Sequence, residues 1–508
     1  MMTDDSESGQ VGLWRRASSL DHILQTNNPP SDHEIYEIRH LLRDIEQYIG
    51  AHDNHPKDSE AYQFEDLGNA CRCALSTLRR LPTEIMSEIF SQALPLDRGD
   101  WNTLDITNEP WTFAYVSSSW RAIALAHQEL WSFIRIDLGI LHQAGKPEPA
   151  IAVLLCVLQR SGDRPLSIDF TDNVPTRRTK ELLLALLPNS RQWLDVKFSI
   201  SFQDLEVLSP VREHLPLLRS LEVYTYGNST SGVLHAFEKA PCLREASFSV
   251  GDPHILPIPW SQLTTFRGSL VPSLAVLHDL SQVVDCSLTF GMWYSMTLPA
   301  PVIQHHTMRR LQIDSVYALD GLKAPHLEVL HISGHQIWSQ LHYIASFLQR
   351  SCCSLQSLLL TSVTINDRRD LVLLLEAAPS LVFFQVRYGV VVWDMLLRLL
   401  IVTRSQCLLP DLRTLRLVFG KKSGLSNTTW DAYASLLLNM IESRFYVAER
   451  EGLSRLESIA LLELPQPLPS EHTTSLAKLE KLGLGVVDDA GSERNIPPVV
   501  LWAWSSTN

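Results

Sequence analysis

The sequence predicts an α+β protein in which an N-terminal helical module precedes an irregular α/β solenoid. Three observations carry that expectation. Apolar residues recur at spacings of three and four through much of residues 31–131, the signature of amphipathic helices. From there to residue 487 a template of three apolar residues at offsets 0, 3 and 5 keeps returning. The two regions also differ in charge. Residues 1–70 hold 14 Asp/Glu and 5 Lys/Arg, a net of 5 − 14 = −9, while the whole chain carries 43 − 56 = −13.

Composition narrows the functional classes. Of 508 residues, 45% are hydrophobic and 19% charged, which excludes a largely disordered chain. At ~150 residues per domain the length corresponds to about three units, or to one long repeat array. The negative balance argues against nucleic-acid binding through a broad basic surface. The opening MMTDDSESGQVGLWRR has no apolar core and is acidic, so it reads as neither a secretory signal nor a transit peptide. The longest apolar run, VVVWDMLLRLLIV (390–402), is interrupted by Asp394 and Arg398, so no membrane span is expected. Eight cysteines without a C-x-x-C pair read as free thiols in a reducing compartment. The expected location is intracellular, cytoplasm and/or nucleus, and the sequons at Asn228 and Asn427 then carry no glycan.

Taken in order, residues 1–30 read as a disordered acidic tail ending in the turn-rich TNNPPSD (26–32). Residues 31–77 read as a helical segment. Ser31 or Asp32 caps a helix with Glu34 in its first turn. Ile35, Ile38, Leu41, Leu42, Ile45 and Ile49 then form one stripe that ends near Gly50. That stripe can pack on its own chain or on a partner helix. AHDNHPKDSE (51–60) breaks the pattern and reads as a loop. His52, His55, Cys71 and Cys73 fall near one another in sequence, but C-x-C is tighter than structural zinc spacing, and solvated histidines with ordinary thiols are the simpler reading.

Residues 78–131 carry the most information. LRRLPTEIMSEIFSQAL (78–94) opens a helix with Pro82 in its first turn, where a missing N–H costs nothing. Ile85, Met86, Ile89, Phe90 and Ala93 are expected on one face. A polar insert (95–110) follows, then WTFAYVSSSWRAIALAHQELW, in which Val116, Trp120, Ile123, Ala124 and His127 are expected on a second helical face. So small a unit buries too little surface to stand alone and is expected to lean on a neighbour.

LPTEIMSEIF, then VSSSWRAIA, then LW resembles an F-box. The matching positions are Leu81, Pro82, Glu84, Ile85, Ile89, Phe90, Val116, Ser117, Trp120, Arg121, Ala124, Leu130 and Trp131. TNNPPSDHEIYEIRHLL is similar to the stretch ahead of the F-box in mushroom-type (basidiomycete) fungal F-box proteins. The long insert between the first two helices departs from the family. The resemblance implies docking on a Skp-type adaptor, and through it a cullin scaffold of an SCF ubiquitin ligase. It assigns the adaptor contact to Leu81, Pro82, Glu84, Ile85, Ile89, Phe90, Val116 and Trp120. Read from residue type alone, Ile85, Ile89 and Phe90 could equally form this unit's own core.

Residues 132–487 hold the template. Its clear copies are LPLLRSLEV (215–223), APHLEVLHI (324–332), CCSLQSLLL (352–360), APSLVFFQV (378–386), LPDLRTLRL (409–417), LSRLESIAL (453–461) and LAKLEKLGL (476–484). Weaker copies are Trp131/Ile134/Ile136, Trp193/Val196/Phe198, Leu243/Ala246/Phe248, Val283/Cys286/Leu288 and Met308/Leu311/Ile313. From Leu327 the steps are 28, 26, 31, 44 and 23 residues, and the step of 44 marks an insert at 420–452. Each unit is expected as strand, loop, helix. Three buried aliphatic side chains supply roughly 5–9 kcal/mol, less than the entropy of ordering ~25 residues, so units must share a core. The pattern resembles leucine-rich repeats, without the Asn or Cys expected after the last template position, and a non-repeat α/β domain is the alternative. Residues 488–508, with Trp502 and Trp504, read as a C-terminal cap or tail.

The chain contains no phosphate-loop motif, no H-E-x-x-H and no G-x-S-x-G; GKKSG (420–424) and GLGVVD (483–488) only echo Gly-rich loops. No catalytic residue, metal or cofactor is therefore assigned. The functional expectation is a non-enzymatic substrate-recognition subunit of an SCF-type ubiquitin ligase, with residues 81–131 on the adaptor and the long C-terminal region on an unknown target protein. Two alternatives stay open: a non-degradative interaction scaffold with an F-box, and an intracellular α/β enzyme with an unrecognised site.

Overall fold

A computed structural model describes residues 4–52, 59–94, 101–143, 150–173, 177–226, 232–249, 252–271, 274–290, 302–333, 341–387, 392–403, 407–419, 427–446 and 453–488. Its contacts divide the chain into two compact units, residues 1–195 and 196–508.

The first unit begins with helices. α1 (Asp4–Ser19), α2 (Asp21–Leu24), α3 (Asp32–His52) and α4 (Ser59–Ala74) build a bundle. Its core is Leu13, Ala17, Leu20, Ile23, Ile38, Leu41, Ile45, Phe64, Cys71 and Ala74. The expected disordered tail is corrected here: α1 and α2 carry their own apolar residues, at Leu13, Ala17, Leu20 and Ile23, into that core. The α3 stripe thus packs on its own chain. Ser31 closes its N-terminus by a reciprocal capping box. The Ser31 amide donates to Glu34 Oε2 at 2.7 Å, and the Glu34 amide donates to Ser31 Oγ at 3.4 Å.

α5 (Thr83–Ala93), α6 (Phe113–Val116) and α7 (Ser118–Ala126) follow, then β1 (Phe133–Asp137), α8 (Leu138–Gln143), α9 (Ala150–Ser161), β2 (Leu166–Thr171) and α10 (Arg177–Leu186). Parallel β1 and β2 bury Ile134 and Ile136 beside Ile168 and Phe170. The described part of the insert read as polar, residues 101–110, joins the core, with Trp101 and Leu104 buried beside Trp111. It runs along the free edge of β1. The Thr103 amide donates to the Arg135 carbonyl, and Asn102 Nδ2 donates to the Asp137 carbonyl. An open strand edge is a template for unwanted pairing, and this segment covers it. Arg160 of α9 lies against both Trp111 and Trp131, with its guanidinium carbon 4.4 and 4.5 Å from the ring centres.

The unit division falls inside β3 (Trp193–Ser201), after Asp195. The second unit continues with α11 (Phe202–Leu205), β4 (Ser220–Tyr226), β5 (Glu245–Ser249), β6 (Thr265–Val271), β7 (Asp285–Phe290), β8 (Ile303–Gln304), β9 (Arg310–Ile313), β10 (Leu322–Lys323) and β11 (Val329–Ile332). Strands then alternate with helices: α12 (Leu341–Ser351), β12 (Ser357–Thr361), α13 (Arg368–Glu376), β13 (Phe383–Arg387), α14 (Trp393–Leu400), β14 (Thr414–Val418), α15 (Asn427–Phe445), β15 (Ser458–Leu462), α16 (Ser470–Lys481) and β16 (Gly485–Asp488). From β4 to β9 the described connectors are 3-10 turns such as His235–Phe237 and Leu274–His278 instead of α-helices. Steps of 20–25 residues between those strands leave little room for longer ones.

Among the described residues, fourteen strands hydrogen-bond in chain order in one sheet, with β8 and β10 apart as a parallel pair. This corrects the expected fold class. The chain is α/β, built on a fourteen-stranded parallel sheet, and not an α+β assembly of a helical F-box module and a leucine-rich-repeat-like solenoid. The physical reason is that offsets 0, 3 and 5 specify a turn residue and two inward strand residues. Any parallel sheet with a buried face makes the same demand, so spacing alone does not choose the architecture.

The template positions themselves fall where a strand needs them. Leu327/Leu330/Ile332, Leu355/Leu358/Leu360, Leu381/Phe384/Val386 and Leu412/Leu415/Leu417 are all buried. The register stacks Leu330 on Leu358, Leu358 on Phe384, Phe384 on Leu415 and Leu415 on Ile459. One residue ahead of these strands a backbone ladder continues, from Gln356 to Glu328, Val382 to Gln356, Arg413 to Val382 and Glu457 to Arg413, at 2.8–3.0 Å. The last copy is misplaced. Leu479 lies in α16 and Leu482 is exposed, while the strand is β16, with Val486 paired to Ile459.

The step of 44 is filled by α15. Its Arg444 is buried and donates to the carbonyls of Leu400 (2.6 Å), Leu408 (2.7 Å) and Leu409 (3.2 Å). Burial lowers its pKa to about 10. The expected C-terminal cap with Trp502 and Trp504 lies outside the described residues.

Candidate docking surface

The described residues of 76–131 assemble from two 3-10 turns and three helices. The Ser76 hydroxyl accepts the Leu78 amide and starts a 3-10 turn, Thr77–Arg80, that leads into Leu81 and Pro82. Pro82 is the N-cap of α5 rather than its first helical residue, with extended ψ and its carbonyl accepting the Met86 amide at 3.1 Å. Glu84 sits in the first turn, exposed, where a carboxylate faces unpaired amides.

The single apolar face expected on α5 is corrected by the structure. The helix has two apolar sides. Met86 and Phe90 point inward and are 2% and 1% exposed, whereas Ile85 and Ile89 are 49% and 40% exposed. Residues at i, i+3 and i+7 share a stripe, so Pro82, Ile85 and Ile89 line the outer side. Phe90 stacks on Phe113 with ring centres 4.6 Å apart and lies 5.0 Å from Trp120. It is a core residue, and so its assignment to adaptor contact is corrected: a side chain without accessible surface cannot meet a partner. Trp120 is half-buried in the same cluster.

Val116 is also placed differently from expectation. It ends α6 rather than joining the buried face of α7, and with Tyr115 it is exposed. The reason is Ser117, which interrupts the helix with extended backbone and caps α7 by accepting the Trp120 amide at 3.1 Å. Ala124 is buried, and its carbonyl accepts Trp131 Nε1 at 2.8 Å. Ser91 Oγ and His127 Nε2 are hydrogen-bonded at 3.0 Å, which ties α5 to the end of α7.

Of the eight predicted contact residues, five are exposed: Pro82, Glu84, Ile85, Ile89 and Val116. Leu81 and Trp120 are half-buried and Phe90 is interior. Leu78, unassigned from sequence, is exposed at the start of the same approach to α5. An apolar residue ahead of two arginines is its only signal in the sequence.

An open cleft of about 690 Å³ lies along the C-terminal half of α5, bordered by Glu88, Gln92, Glu129 and Phe133. Among the described residues no three His, Cys, Asp or Glu side chains come together as a metal site. Cys71 is in the bundle core, where burial pushes its thiol up to about 11, and Cys73 is exposed. The side chains of His52 and His55 lie outside the described residues. No described helix is long and apolar enough to cross a membrane. No family model matches the chain, and no curated protein matches it.

Proposed function

We propose that the chain is a substrate-recognition subunit of an SCF-type ubiquitin ligase, with the outer stripe of α5 docking on a Skp-type adaptor and the second unit holding a target protein. The observation that supports this most is the split of α5. Phe90 and Met86 anchor the helix, and Ile85 and Ile89, on the adjoining flank, are 49% and 40% exposed. An aliphatic pair on a rigid, anchored helix is the surface that a partner groove takes up. Covering both recovers about 1 kcal/mol each, and pre-anchoring keeps the ordering cost low.

The chain then works by proximity. The adaptor links it to a cullin scaffold, and a separate conjugating enzyme acts on a target held at high effective concentration. A pull-down with a purified Skp-type adaptor tests the reading. Capture by wild type and loss of capture in Ile85→Glu/Ile89→Glu support it. Failure of the wild type to bind refutes it.

A further inference from the structure

Beyond Leu75, which packs against the bundle core, the chain between the helical bundle and α5 is tied back to the bundle by Arg79. Arg79, in the 3-10 turn Thr77–Arg80, extends its guanidinium to the end of α2. Its Nη1 donates to the Ile23 carbonyl at 3.1 Å and to the Thr26 carbonyl at 2.7 Å. Those carbonyls lie where α2 ends, and helix-terminal carbonyls lack intrahelical partners. Ile23 is itself buried in the bundle core, and Thr26 is tied back by its hydroxyl, which donates to the His22 carbonyl at 2.5 Å. The anchor is thus set by the bundle core on one side and by the end of α2 on the other. Leu81 and Pro82 follow Arg79 by two and three residues, and the Leu81 amide reaches the Leu78 carbonyl only at the long distance of 3.5 Å.

We infer that Arg79 is a positioning residue for the docking stripe: it fixes the Leu81–Pro82 entry to α5 against the α1–α4 bundle, and so presents the adaptor with a pre-set edge. The inference rests on the docking role proposed above. It gives the N-terminal bundle a purpose in recognition beyond its own stability. Both bonds leave one nitrogen whose two N–H groups lie in the guanidinium plane, so they fix direction as well as distance; an ammonium can reach both carbonyls but turns freely about its own axis.

The experiment measures adaptor affinity of the full chain by calorimetry for wild type, Arg79→Ala and Arg79→Lys, with amide hydrogen exchange at Leu81 and Met86. Arg79→Ala is expected to weaken binding about ten-fold and to speed exchange at both amides, with the thermal midpoint little changed. Arg79→Lys is expected to recover most of the affinity, to about three-fold below wild type, with exchange between the two. If the alanine variant unfolds, the lysine variant carries the test: a small loss of affinity with faster exchange supports positioning, and wild-type affinity with wild-type exchange overturns it. Unchanged affinity in a folded Arg79→Ala overturns the inference while leaving the docking reading intact. Failure of the wild type to bind overturns both.

Discussion

Thr103 and Arg135 hold each other by two hydrogen bonds. The Thr103 amide donates to the Arg135 carbonyl at 2.8 Å, and the Arg135 amide donates to Thr103 Oγ1 at 2.8 Å. The pair closes the edge of β1 with the segment that separates α5 from α6. Thr103→Val keeps the side chain's volume but removes the hydroxyl that accepts the Arg135 amide. Losing the acceptor of this part-buried donor costs about 1 kcal/mol, so the midpoint of urea unfolding is expected to fall accordingly. An unchanged midpoint would mean that water replaces the hydroxyl there.

Arg444 is expected to be a costly position in the second unit. Its charge is buried against carbonyl oxygens, and Arg444→Met leaves the Leu400, Leu408 and Leu409 carbonyls without that donor. The expected loss is about 3 kcal/mol, read as a lower unfolding midpoint. Arg444→Lys should recover part of it, because an ammonium cannot span all three acceptors.

The capping box at the start of α3 predicts a pH dependence. Hydrogen bonds from the Ser31 hydroxyl and amide, then from His22, hold the Glu34 carboxyl down from 4.5 to about 2. A depressed carboxyl contributes stability that is fully present above its ordinary pKa and is lost as pH falls through the lowered one. The stability gap between wild type and Glu34→Gln should therefore narrow from pH 5 to pH 2. A gap that stays constant over that window would contradict the assignment.

His331 predicts a second, higher window. Burial on β11 lowers its pKa from 6.5 to about 4, and its Nε2 lies 3.1 Å from Thr361 Oγ1. The fold favours the neutral ring, so the unfolded chain takes up the proton first. Stability is then full above pH 6.5 and falls between pH 6.5 and 4. Wild type should lose on the order of 2 kcal/mol more than His331→Gln between about pH 7.5 and 4.5. Parallel pH profiles for the two proteins would sink this reading.

Much of the strand framework is legible in the sequence because it depends on period-two burial. Leu221 and Val223, or Leu358 and Leu360, announce a strand by spacing alone, and both pairs are buried. β2 and β6 escape the template for local reasons. Pro165 stands at the first position before Ile168 and Phe170, and Gly268 stands at the third position after Leu263 and Phe266. The last copy fails because Leu476 and Leu479 satisfy helical spacing as well, and α16 claims them.

Along the helices, charge hides what spacing contains. Leu13, Ala17, Leu20 and Ile23 follow a helical rhythm, but the acidic excess around them reads as a solvated tail. On α5, five apolar residues read as one face because hydrophobicity does not say which side is covered. Only the packing of Phe113 and Trp120 on Phe90 decides that Ile85 and Ile89 remain outside. The candidate contact residues are thus readable as a motif, whereas their division into anchor and surface is not.

The same division predicts opposite outcomes for neighbouring substitutions. Phe90→Ala should destabilise the first unit by about 3–5 kcal/mol, because it empties an aromatic core site. Ile89→Ser removes a solvent-facing side chain and should shift stability by under about 0.5 kcal/mol. Thermal unfolding of the two variants, side by side, checks this directly. Equal losses would place Ile89 in the core.

The central claim is that α5 offers an outward aliphatic stripe to a Skp-type adaptor. Calorimetric titration of the adaptor into the full chain tests it most directly, with Ile85→Glu/Ile89→Glu as the comparison. The account predicts one-to-one binding by wild type, at least a hundred-fold loss in the double variant, and an unchanged thermal midpoint. Absence of heat with the wild type, or equal affinity for the double variant, would contradict it.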